Sequence, residues 1–243
     1  MLKKIVNISG IKFADVNLDF LKKKLKEKKY FFVFPAAPAL INIKKDKEYY
    51  VSLKSADYVL FDSGYLCLLL RIFKNINVSK FSGLKFLKFF LKLFKNDKSI
   101  LFVIDPNKES SKKNINLLKT YKIRKIKNYI APIYKGKKVV DLNLLKILKK
   151  TKPGNILINL GGGTQEKLGF YLKKKLAFNA NIICTGAAIS FLTREQAYIP
   201  DFIDKLYLGW FFRILYNPKG YFIRYFKALK LLELIIKVKV NVK

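Results

Sequence analysis

Six short apolar runs interleaved with segments of helical length leave this chain few folds to choose from. Residues 30–34, 57–61, 99–104, 128–133, 155–160 and 181–185 have the length of strands and are rich in Ile, Val, Phe and Tyr. Residues 14–28, 64–73, 84–94, 108–121, 142–149 and 165–176 have the length and spacing of helices. Strands that alternate with helices are joined by crossovers, so the pattern predicts a mostly parallel sheet of about six strands. Several runs are apolar on both faces, which requires helices on both sides of that sheet. The expected fold is α/β and Rossmann-like, with a core over residues 1–200 and a C-terminal helical, basic and aromatic appendage over 201–243.

The 243 residues are 51% hydrophobic and 15% aromatic, enough for a packed core. Lys and Arg total 50 against 16 acidic residues, a formal charge of +34 that favours anionic partners. Nearly all of it is Lys, and the chain is also rich in Ile, Asn, Phe and Leu, a mixture that matches an A+T-biased coding sequence and says little about function. The five Arg, at 71, 124, 194, 213 and 224, are more informative, because Lys cannot replace a planar guanidinium that grips phosphate. Basic residues run along the whole chain with no Arg-rich patch, which argues against nucleic acid as a partner. A basic nucleic-acid-binding protein is the alternative that charge and aromatics together would support. No histidine is present, which excludes a Ser-His-Asp triad, a His general base and His-ligated zinc. Carboxylates must therefore carry any proton transfer. Cys67 and Cys184 each lie in an apolar run and are expected to be buried thiols, not metal ligands or a disulfide. Residues 1–10 lack the apolar core of a signal peptide, and no stretch reaches the ~18 uncharged residues of a membrane-spanning helix. A cytoplasmic location is expected.

Ligands of a parallel α/β sheet sit beyond the carboxyl ends of its strands. The loops to read are Pro35-Ala36-Ala37-Pro38, Asp62-Ser63-Gly64, Asp105-Pro106-Asn107, Gly161-Gly162-Gly163-Thr164-Gln165-Glu166 and Thr185-Gly186-Ala187-Ala188. The glycine run ends a strand and opens a helix, where backbone amides and the helix dipole can receive a diphosphate. A plain tight turn would look the same, since neither the dinucleotide fingerprint nor the P-loop is matched. Asp62 is either an N-cap of the helix starting at Gly64 or a general base at the ligand edge. Thr185 and Gly186 leave room for something bulky. After residue 200 an aromatic stretch with Arg213 leads through Asn217-Pro218 to residues 221–237, where apolar and basic residues mix at helical spacing. Such a helix either lies on an anionic membrane surface or docks on the sheet, and the two are compatible.

In order along the chain, these segments resemble the WecG/TagA/CpsF family of bacterial glycosyltransferases over roughly residues 33–225. Asp62-Ser63-Gly64 looks like the family's Asp-Gly turn, Ser79-Lys80-Phe81-Ser82-Gly83 like its Arg-x-x-Gly step, and the glycine loop like its Gly-x-Pro-x-Gln-Glu. Gly209-Trp210-Phe211-Phe212-Arg213, Asn217-Pro218 and Arg224-Tyr225 parallel its Glu-Trp-x-x-Arg, Glu-Pro and Arg-Tyr. The departures are Lys80 for Arg, Gly209 for Glu, Ser190 near an acidic position, the missing Pro of the glycine loop, and Pro35-Ala36-Ala37-Pro38 where Thr and Asn are common. The resemblance implies inverting transfer from a UDP-sugar, typically of N-acetylmannosamine type, to a polyprenyl-diphosphate-linked acceptor, with no cofactor and no essential metal. It implies a peripheral enzyme on the inner face of the cell membrane and association into homo-oligomers through the core. Asp62 would deprotonate the acceptor, Gln165 and the glycine loop would hold polar groups of donor or acceptor, and Arg213 and Arg224 would neutralise diphosphate charge. Ser63, Gly64, Lys80, Gly161, Gly162, Gly163, Thr164, Glu166, Thr185 and Gly186 would line the substrate site. The altered first loop also admits a catalytically silent, membrane-bound scaffold of the same fold.

Overall fold

A computed structural model describes residues 2–135, 138–195 and 209–242. Among the described residues nine strands form one sheet: β1 (Leu2–Ile8), β2 (Ile11–Val16), β3 (Phe31–Val33), β4 (Tyr58–Leu60), β5 (Leu101–Asp105), β6 (Ile126–Ile130), β7 (Asn155–Ile158), β8 (Asn181–Cys184) and β9 (Val240–Val242). Their order is β6-β5-β7-β8-β3-β4-β2-β1-β9. The seven strands from β6 to β2 are mutually parallel, and β1 and β9 are antiparallel additions at one end. The six strands expected from the apolar runs are β3 to β8.

The helices are α1 (Leu18–Lys26), α2 (Ala37–Leu40), α3 (Lys47–Lys54), α4 (Gly64–Lys74), α5 (Gly83–Leu93), α6 (Lys108–Thr120), α7 (Leu142–Thr151), α8 (Thr164–Lys175), α9 (Ala188–Leu192), α10 (Gly209–Tyr216), α11 (Pro218–Ala228) and α12 (Lys230–Lys237). They cover both faces. One core cluster joins the sheet to α2, α3, α4, α7, α8 and α12 through residues such as Leu53, Leu70, Leu148, Leu168 and Ile235. A second joins the opposite face to α1, α5, α6 and α9 through Leu21, Phe86, Phe90, Leu118 and Ile189. Buried Leu231, Leu234 and Ile235 tie α12 into the first cluster, while Phe222, Ile223, Phe226, Leu229 and Ile236 of the same C-terminal segment are exposed. The amphipathic tail thus docks with one side and offers the other to its surroundings.

Two boundaries differ from expectation for local reasons. Residues 14–16 finish β2 and do not open a helix, because Asn17 is the N-cap: its side chain accepts the Phe20 amide at 2.9 Å and fixes the start of α1 at Leu18. Strand β6 stops at Ile130 and does not run to 133, since Pro132 has no N–H to contribute to the ladder.

Glycine is demanded where α8 crosses the sheet. A Cβ at Gly169 would stand 2.5 Å from Phe31 Cε2 and 3.0 Å from Cys184 Sγ, so helix and strands touch backbone to side chain. Gly169→Ala is expected to cost about 1–3 kcal/mol through overpacking. A lower urea midpoint at unchanged m-value would register it.

Candidate active site

Strands β7, β8, β3 and β4 are neighbours, so the loops after them share one edge of the sheet. Asp62 stands in the loop after β4. Its own helix does not use it: Ser63 is the N-cap of α4, its Oγ accepting the Leu66 amide at 3.1 Å. The Asp62 carboxylate instead accepts the Gly83 amide at 2.8 Å, at the N-terminus of α5, where aligned peptide dipoles suit a negative group. It is half-buried, not sealed in the interior.

From Gly83 the contacts run directly to the other loops. A Cβ at Gly83 would stand 3.0 Å from the Thr185 carbonyl, so α5 sits tightly against the loop after β8 and a side chain there would have to push it back by a few tenths of an ångström. Next to Thr185, Gly186 adopts a left-handed conformation, φ 63°, and donates its N–H to Gln165 Oε1 at 2.7 Å. Gln165 Nε2 donates to Glu166 Oε1 at 3.0 Å, and Glu166 Oε2 accepts the Gly163 amide at 2.6 Å. Gly162 closes the line toward the loop after β3, where a Cβ would lie 3.2 Å from Ala39 Cβ. Asp62, Gly83, Thr185, Gly186, Gln165, Glu166 and the glycine turn therefore form one continuous set of contacts.

The two acidic residues of this set differ in setting. Glu166 is 0% exposed, and its carboxyl is pushed up from 4.5 to about 7, chiefly by burial and further by the negative charge of Asp62. Bonds from Gly163 and Gln165 oppose the shift without cancelling it. Gln165 is 2% exposed, and both ends of its carboxamide are engaged within the protein. Gly161 and Gly162 are exposed, and a Cβ at Gly161 or Gly163 would meet nothing, so the turn faces open space. Thr164 opens α8 behind it.

Lys80 shares the charge environment of Asp62. Burial pushes the Cys67 thiol up to about 12, Lys80 opposes the shift, and Asp62 and Asp15 add to it. Asp15 was not singled out by sequence reasoning. It is the last residue but one of β2, beside β4, is buried, and its Oδ2 accepts the Ser79 amide at 3.1 Å, holding the turn that carries Lys80 and Gly83. An acidic residue in the apolar run 11–16 was the available signal. Arg213 lies on α10 and Arg224 on α11, and their side chains lie outside the described residues. Helix α11 itself packs on α2, beside the glycine turn.

The model for the glycosyl transferase WecG/TagA/CpsF family matches residues 5–243. The chain belongs to the WecG/TagA/CpsF glycosyltransferase family. It is also similar to the N-acetylglucosaminyldiphosphoundecaprenol N-acetyl-beta-D-mannosaminyltransferase of Bacillus subtilis strain 168, at 23% identity over 218 residues, covering 87% of this chain and 83% of that protein. Glycosyl transfer is the activity of the family and hence of this enzyme.

Two further features of this WecG/TagA/CpsF member complete the edge. Asp105, at the end of β5, is fully buried and accepts from Asn114 Nδ2 at 2.7 Å and Asn159 Nδ2 at 2.8 Å, and burial raises its carboxyl. Asn159 stands two residues before Gly161, so this buried network anchors the end of β7 from which the glycine turn departs. Cys67 and Cys184 are both buried free thiols. Among the described residues no three His, Cys, Asp or Glu side chains cluster as a metal site, and no helix is long and apolar enough to cross a membrane.

Proposed function

We propose that this glycosyltransferase moves a sugar of N-acetylmannosamine or related type from a UDP-sugar to a polyprenyl-diphosphate-linked acceptor in cell-surface polysaccharide assembly. It works with inversion, without a metal, while held peripherally on the inner face of the cell membrane. The observation that carries this reading is the contact line from Asp62 to the glycine turn along one strand edge. The named activity of the Bacillus subtilis relative supports the sugar and acceptor class.

In the reaction the acceptor hydroxyl oxygen attacks the anomeric carbon as the bond from that carbon to the β-phosphate oxygen of UDP breaks. The hydroxyl proton passes to the Asp62 carboxylate, and UDP leaves with the bonding pair. Ser63, Gly64 and Lys80 flank the acceptor side, with the Lys80 ammonium near the phosphates. The exposed backbone of Gly161 and Gly162, with Thr164 at the head of α8, meets the donor's polar groups. Gln165 acts by tying Gly186 to Glu166, which sets the shape of the turn. Arg213 and Arg224 take up charge on the departing diphosphate, the class of stabilisation that contributes most in such reactions.

A panel of nucleotide sugars tests the donor. UDP-sugars should raise the melting temperature of the full chain, since saturation at a hundredfold the dissociation constant adds about 2.7 kcal/mol to stability. Transfer to a polyprenyl-diphosphate-linked N-acetylated sugar should follow and persist with chelator present. Binding without turnover over a broad acceptor panel would make the chain a silent scaffold, and no shift with any nucleotide sugar would end the donor assignment.

A further inference from the structure

The sheet face that carries α4 and α12 is finished on its outside by apolar side chains. Helix α4 buries Leu66, Cys67, Leu69 and Leu70, yet Leu68 and Ile72, one turn apart, stand exposed with Phe73 beside them. Ile72 is 61% exposed, more than a core helix needs to leave open. Lys74 Nζ donates to the Ile236 carbonyl at 3.1 Å and fixes the end of α4 against the end of α12. Ile236 is itself exposed, and a groove of about 680 Å³ continues past it, walled by Phe226, Leu229 and Leu232. Basic side chains accompany both parts: Lys227, Lys230 and Lys237 line the groove, and Arg71 stands exposed on α4 next to Ile72. The acid of the groove, Glu233, is paired with Lys237 at 2.7 Å.

We propose that Leu68, Ile72 and Phe73 form a bilayer-docking element on the catalytic core itself, one half of a surface whose other half is the exposed side of α11 and α12. The inference rests on the membrane reading of the C-terminal segment given above and extends it to a helix that begins at the catalytic loop. Charge selects the occupant. Basic side chains beside apolar ones match anionic headgroups over acyl chains, whereas nucleic acid has no use for the apolar part. A fluid bilayer also accepts side chains from two helices without a matching shape. Two anchors on separate elements restrict rotation of the core on the membrane, which one terminal helix cannot do.

The test uses the full chain and co-sedimentation with vesicles of phosphatidylcholine containing one-third phosphatidylglycerol, beside vesicles of phosphatidylcholine alone. The pair Ile72→Ser with Phe73→Ser, and separately Phe222→Ser with Phe226→Ser, should each lower partitioning onto the anionic vesicles by about tenfold. Leu68→Ser, on the same stripe, replaces the α4 pair if that pair lowers the melting temperature. Arg71→Gln should weaken binding to the anionic vesicles only. Wild-type partitioning by the α4 variants, with loss in the α11 pair, would overturn the inference and leave the membrane reading of the C-terminal segment standing. Failure of the unaltered chain to bind either vesicle would remove both. A change of oligomeric state in the α4 variants at undiminished vesicle binding would assign the stripe to a second copy of the chain and overturn the proposal.

Discussion

Asp62→Asn should lower turnover by about 10²- to 10⁴-fold, the range that a positioned general base contributes. The substitution isolates the proton transfer because an amide oxygen can still accept the Gly83 N–H that the carboxylate holds at 2.8 Å. The junction of α5 with the loop after β4 then stays in place, and Ser63 continues to cap α4. Removing the base alone should reduce kcat with little change in donor affinity, since the step affected occurs only in the transition state. Single-turnover transfer beside the thermal shift given by the same UDP-sugar separates the two. Wild-type rates in the variant would withdraw the base assignment, and loss of both rate and donor binding would mean that Asp62 shapes the site without taking the proton.

The other large effect is in stability against pH. Glu166 has an ordinary value of 4.5 and a folded value of about 7, raised chiefly by burial. A carboxyl whose folded value is raised binds its proton more tightly in the native state. Its contribution is present in full below about 4.5, declines as pH rises and is gone once pH has passed about 7. A rise from 4.5 to about 7 corresponds to about 3 kcal/mol at about 1.36 kcal/mol for each pH unit. Glu166→Gln has no such titration. The stability difference between wild type and variant, from urea unfolding at closely spaced pH values, should therefore move in favour of the variant by about that amount across this window. A difference independent of pH across this window would show that folding leaves the Glu166 carboxyl at its unfolded value. The variant also loses an acceptor, for either the Gly163 amide or the Gln165 carboxamide, which offsets the curve without changing its shape.

The parts of this fold legible from sequence are those whose signal is local. Strands β3 to β8 announce themselves as apolar runs because both faces of the sheet are covered, and the start of α4 at Gly64 was legible too, although the residue that caps it is Ser63 and not Asp62. The hairpin of β1 and β2 carries a weaker local mark: Ser9 and Gly10, φ 54° and 81°, form the two-residue turn that joins antiparallel strands. Its strands lacked a clear alternation, since β2 is buried on both sides and reads like the start of the following helix. The site divides in the same way. Asp62 and the glycine turn could be picked out as loops at strand ends, whereas the role of Gly83 as the contact between Asp62 and Thr185 depends on α5 crossing to the other face, a non-local event. Asp15 was hidden for the same reason, because its partner Ser79 lies 64 residues away.

Strand β9 sets an order on the making of this molecule. The outer edge of β1 is covered by Val240–Val242, paired Val6 to Val242 and Ile8 to Val240. A chain still emerging from the ribosome carries that edge bare, with its hydrogen-bonding groups ready to join any passing strand, until residues 240–242 have followed it out. Once in place, β9 is only three residues long and is preceded by Lys237 and Lys239, too short and too charged to template another strand. Cleavage before Val240 would bare the outer edge of β1 again and reopen the sheet to aggregation in one cut.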